Sequence, residues 1–132
     1  MLQVPDGWTL EWRPLAGHRT GEISWPNRTI VIDPTRSPES QRCTLTHEVI
    51  HAERGPVLGD PVLIAREEHA VEEETARRLI GIDELADTLA WTHNLPEAAD
   101  ELGVDTHTLR ARLDRLRPGE RAWLTRRLDG DR

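Results

Sequence analysis

Phenylalanine, tyrosine and lysine are absent from this 132-residue chain, and cysteine and methionine occur once each. The single thiol, Cys43, excludes an intrachain disulfide and suits a reducing compartment. Without Phe or Tyr, the core has to come from Leu, Ile, Val, Ala and the five tryptophans. All seventeen basic residues are arginine, which reflects a GC-rich genome rather than a nucleic-acid surface, because the net charge is −7 and no segment forms a basic patch. Residues 61–92 hold eight acids against three bases, whereas residues 93–132 balance eight against eight. Taken residue by residue, the acidic run reads as a solvated helix face. No apolar stretch is long enough to span a bilayer, and the amino terminus lacks the charged and hydrophobic regions of a secretory signal. A cytoplasmic location and a single domain over residues 1–132 are therefore expected.

Periodicity divides the chain into a strand region and a helical region. Trp8-Thr9-Leu10-Glu11-Trp12 alternates like a strand, and Glu22-Ile23-Ser24-Trp25 and Arg28-Thr29-Ile30-Val31-Ile32 flank a Pro26-Asn27 turn. A hairpin plus one more strand predicts a small antiparallel sheet. Ser37-Pro38 supplies an N-cap and a first-turn proline for a helix to about Arg54, ended by Gly55-Pro56. Asp60-Pro61 opens a second helix to about Ile80, and Asp83 caps a third that ends near Trp91. Shorter helices are expected at Pro96–Leu102, Thr106–Leu116 and Gly119–Leu128. The fold class is α+β, a small sheet leading into a helical body.

Chemistry concentrates in Leu45-Thr46-His47-Glu48-Val49-Ile50-His51-Ala52. Histidines four residues apart lie about one helical turn from each other, so His47 and His51 share a face and can converge on one ion. Glu48, offset by roughly 100°, can reach a water at an open coordination position, the arrangement of a zinc hydrolase. Thr44, Leu45, Val49, Ile50 and Ala52 provide the uncharged surroundings such a helix prefers, while Glu53 departs from them.

The third ligand lies elsewhere. Arg54 stands where a metzincin would need glycine, which excludes that class. Cys43 and His51 are separated by about 12 Å of helical rise and cannot share a zinc with ~2 Å bonds, so Cys43 is assigned to the core. A carboxylate from the next helix remains. Glu68 and Glu72 are one turn apart there, the relation a ligand and an acid orienting a histidine would have.

These residues resemble the ImmA/IrrE family of metallo-endopeptidases, small intracellular zincins often encoded beside phage or mobile-element repressors. The resemblance runs from the strands through Thr44–His51 to the following helix and a carboxy-terminal helical unit. Glu68, Val71 and Glu72 match the spacing of the family's second-helix pattern, with Thr75-Ala76 and Leu79-Ile80 as its downstream positions. It implies a Zn²⁺ held by His47, His51 and Glu68, with Glu72 orienting a histidine or serving as an alternative ligand, as could Glu73 or His69. It implies Glu48 as general base in peptide hydrolysis, and a repressor-type regulator as protein substrate. Oxyanion stabilisation often uses Tyr or His; with no Tyr, His69, His93 and Arg77 are candidates and none is assigned.

A second pattern points to another class. Ala99, Gly103 and Leu109 have the spacing of a helix-turn-helix within residues 93–132. Asp100, Glu101, Asp105 and the lack of net positive charge argue against direct nucleic-acid binding and for a structural or protein-docking unit. The competing reading is a DNA- or protein-binding regulator with a structural zinc. Glu48 argues against it, because a structural site normally has four protein ligands and no use for an acid beside an open position.

Overall fold

The structure is a computed structural model that describes residues 3–130. Three strands, β1 (Thr9–Trp12), β2 (Gly21–Ser24) and β3 (Thr29–Ile32), precede six helices: α1 (Pro38–Arg54), α2 (Pro61–Leu79), α3 (Ile82–Leu89), α4 (Leu95–Leu102), α5 (Thr106–Asp114) and α6 (Pro118–Gly130). The α+β class holds. These residues group into two compact units that divide within α2, between Thr75 and Ala76.

In the first unit the sheet is mixed, not purely antiparallel. Its order is β1-β3-β2, with β1 parallel and β2 antiparallel to β3. The reason lies in β3, whose Ile30, Val31 and Ile32 are all buried. A continuous apolar run is covered on both faces and takes the central place, so β1 pairs with it rather than with β2. Trp12 and Gly21 both pair with Ile32, so residues 13–20 cross the end of β3. Asp33 fastens that crossing. It accepts hydrogen bonds from the Leu15 N–H (3.0 Å), the Thr35 N–H (2.8 Å) and the Thr35 hydroxyl (2.6 Å), while its own N–H donates to Thr20 O.

Helix α1 starts as its sequence dictates, the Ser37 hydroxyl accepting from the Ser40 N–H and Pro38 occupying the first turn. It buries Cys43, Thr46, Val49 and Ile50. Val49 joins Ile30 and Ile32 in a core lined by Trp8, Leu10, Ile23, Leu45 and Ala52. Close approach to β2 is allowed by Gly21, where a Cβ would collide with the Thr44 methyl and lie 3.2 Å from Val31 O. The helix ends at Gly55, whose φ of 92° few other residues would accept.

The second unit contains α3 to α6. Helix α3 begins at Gly81 without a side-chain cap, and Asp83 lies inside its first turn instead of capping it. Asn94 and Asp105 cap α4 and α5, and left-handed Gly103 (φ 72°) turns the chain between them. Ala99 and Leu109 are buried at that turn. Arg112 of α5 points inward too: its Nε donates to Ile80 O (2.9 Å) and its Nη2 to Glu120 (2.9 Å), a carboxylate that also receives two bonds from Arg77. Of the described helices, none is long and apolar enough to cross a membrane.

Candidate metal centre

Because α1 is fixed to the sheet by Val49, with Leu45 and Ala52 beside it, the opposite pair His47 and His51 faces a cleft of about 250 Å³ in the first unit. Its walls are Ile23 and Trp25 from the β2–β3 hairpin, Gly55 and Val57 after α1, and Ile64, Glu67 and Glu68 from α2. Trp25 is held by an edge-on contact with Trp8, ring centroids 5.4 Å apart.

His47 and His51 bring their Nε2 atoms within 3.2 Å of each other. Glu68 Oε1 lies 2.7 Å from His47 Nε2, and Oε2 lies 3.0 Å from His51 Nε2. Glu48 completes a group with the two histidines in which one ligand atom from each lies within 4.8 Å of the others. Donor atoms around a tetrahedral zinc with ~2 Å bonds stand about 3.3 Å apart, so the separations among His47, His51 and Glu68 suit a common ion, with Glu48 farther out beside it. The donor set suits it also: two imidazoles and a carboxylate are three protein ligands, leaving one position open as a catalytic site requires.

The electrostatics of the pocket favour positive charge within it. Burial lowers the proton affinity of His47, but the Glu68 hydrogen bond and the charges of Glu68, Glu48 and Glu72 more than offset this, and its pKa is raised. The bonds from His47 and His51 hold the Glu68 carboxyl well below the usual carboxylate range. Burial raises the Glu48 carboxyl, with the two histidines opposing. Glu48 is only 8% exposed.

Other candidates are placed less centrally. Glu72 is half-buried and acts on His47 through its charge; Glu73 is half-buried and His69 is exposed. Cys43 is buried. Within the second unit His93 is exposed and Arg77 is bonded to Glu120 and to Arg115 O, so neither has the setting of an oxyanion donor there. Sequence reasoning missed the apolar walls Ile23, Trp25, Val57 and Ile64, and the ion pair that Glu67 of the cleft wall makes with Arg54. The pair joins residues thirteen apart across a loop, which no periodicity marks.

A family model described as the IrrE N-terminal-like domain of Peptidase M78 matches residues 9–122. No curated protein and no solved structure gives a match.

Proposed function

The chain belongs to the ImmA/IrrE family of metallopeptidases, and from that premise we propose that it is a zinc-dependent endopeptidase making a specific cut in a partner protein. The partner proposed is a repressor-type transcriptional regulator of a phage or mobile element. The observation that carries the enzymatic reading is the Glu68 carboxylate bridging His47 and His51 with Glu48 buried beside them.

In this reading His47, His51 and Glu68 hold the ion. Bound there, zinc would supply a Lewis acid that polarises a carbonyl and acidifies water. Glu48 does the proton work, taking a proton from the attacking water on its carboxylate and passing it to the departing amine. In the zinc-free protein burial raises the Glu48 carboxyl, and as base it has to hold the proton firmly enough to carry it forward. Ile23 and Trp25 position the substrate: β2 is an outer strand of the sheet, so its backbone can pair with an extended peptide laid along the cleft.

Selectivity comes from docking. Residues 67–74 contain five glutamates, and an acidic run of this kind complements a basic DNA-binding segment and speeds encounter at low salt. The test is to incubate the purified protein with the products of its neighbouring genes, with and without chelator. The expected result is one zinc-dependent cut, slower at higher ionic strength, with casein left intact. Glu48→Gln should retain zinc yet lose about 10²–10⁴-fold in rate. Cleavage that survives the chelator would defeat the metal mechanism, and brisk casein digestion would defeat the docking argument.

A further inference from the structure

Arg54 closes α1 three residues after His51, and its guanidinium donates through Nε and Nη2 to the two carboxylate oxygens of Glu67, the residue before Glu68. Its Nη1 lies 3.9 Å from Glu74 Oε2. Glu67 and Glu74 are two turns apart on one face of α2, so a single planar cation from α1 reaches both ends of the stretch that carries Glu68 and Glu72.

Apolar burial among the described residues does little to fix α2 at this level. Gly55 and Gly59 both adopt positive φ, and the Cβ position of each meets open space. Leu58 is 83% exposed, and Val62, Leu63 and Ile64 in the first turn of α2 are 60%, 48% and 48% exposed. The first fully buried residue of the helix is Val71, one turn beyond Glu67. Apolar packing therefore does not set where Glu67 and Glu68 stand relative to α1. We propose that Arg54 is a positioning residue whose two-pronged bond to Glu67 sets Glu68 between His47 and His51. This rests on the proposed zinc site. A paired fork fixes direction as well as distance, which the point charge of a lysine cannot do.

The proton and metal chemistry is left to other groups, so the signature of Arg54 is metal affinity and ligand geometry, not stability. An ion pair this exposed contributes little to melting. Zinc affinity, measured by competition with a chromophoric chelator, should fall on the order of 10–100-fold in Arg54→Ala and Glu67→Gln, the loss typical of removing a support from a ligand. Arg54→Lys should fall between these and the parent. The reversed pair Arg54→Glu with Glu67→Arg should recover most of the affinity and the parent's Co²⁺ absorption spectrum. Zinc-free melting should stay within a few degrees in every variant. Zinc binding by Arg54→Ala within twofold of the parent overturns the inference, and so does a loss that the reversed pair fails to recover or that tracks a lower melting temperature. His47→Ala separates this from the broader reading: if it too binds zinc like the parent, the site is misassigned, and if it loses zinc while the Arg54 variants keep it, only the positioning role falls.

Discussion

Glu68→Ala removes a carboxylate that touches both imidazoles, 2.7 Å from His47 and 3.0 Å from His51. Four-ligand zinc sites bind with about 10–16 kcal/mol in apparent terms, so one ligand in four is worth on the order of 3 kcal/mol, about two decades in affinity. Zinc affinity should therefore fall roughly 100-fold, read by chelator competition at fixed pH. Glu72→Ala should lose about 10-fold, since Glu72 acts on His47 through its charge. Glu73→Ala and His69→Ala should lose nothing. A second readout is independent of metal. In zinc-free protein His47 should titrate above the ordinary imidazole value, because Glu68 outweighs the effect of burial. Without Glu68, burial is opposed only by the weaker charges, and the His47 titration should move down. The sign for stability follows: a raised folded pKa stabilises the zinc-free fold below the unfolded value of about 6.5, and that contribution is lost as pH rises through the folded pKa. Glu68→Ala should weaken this dependence. Parent-like zinc binding by Glu68→Ala together with zinc loss in Glu72→Ala or Glu73→Ala would refute the assignment and shift the ligand by about one turn.

Three predictions concern the frame around the site. Gly21→Ala should cost about 1–3 kcal/mol in chemical denaturation, because its Cβ meets the Thr44 methyl; Thr44→Ser, which deletes that methyl and keeps the hydroxyl, should recover part of the loss. Asp33 has its pKa lowered to about 2, chiefly by the Leu15 N–H and then by Thr35, so its contribution should be complete above the ordinary 3.8 and fade as pH falls toward 2. Asp33→Asn should flatten the acid limb of the stability–pH curve in that interval, and an unchanged limb would remove Asp33 from the account. Arg112→Met should destabilise by about 1–3 kcal/mol, since it leaves the buried Ile80 O without this donor while Glu120 keeps its bonds from Arg77, with a correspondingly lower denaturation midpoint as the measurement.

How far the sequence discloses this molecule depends on the reach of each interaction. Helix α1 was legible because its cap, its apolar spacing and its terminating glycine are all local, and Ser37, Pro38 and Gly55 act as expected. The sheet order was not, since the Pro26-Asn27 turn shows only that β2 and β3 pair. Thr29-Ile30-Val31-Ile32, with no alternation, carried the missing signal that β3 is central. Asp83 misled for a related reason: an acid near a helix start can cap it or sit in the first turn against the dipole, and residue type does not separate the two. In the candidate site, His47, Glu48 and His51 follow from one helical period. Bringing Glu68 to them needs the α1–α2 register, which depends on Arg54 and Glu67 meeting across a loop.

Charge balance ties these pieces together. Glu48, Glu67 and Glu68 line one small cleft, and three like charges close together repel one another there, most of all around the buried Glu48. Arg54 answers Glu67 from the rim, with the bond that lowers the Glu67 carboxyl and raises the guanidinium. Glu48 and Glu68 then leave two carboxylates facing two imidazoles, and the raised proton affinity of His47, which the Glu68, Glu48 and Glu72 carboxylates cause against burial, expresses the same demand for positive charge. A dication meets that demand with no net charge left in the cleft, whereas one proton meets half of it. The arrangement thus favours a divalent ion on electrostatic grounds separate from the spacing of its ligands, and it gives Arg54 a reason to be a permanent cation: a group that titrated near neutrality would return the Glu67 charge to the cleft and upset the balance.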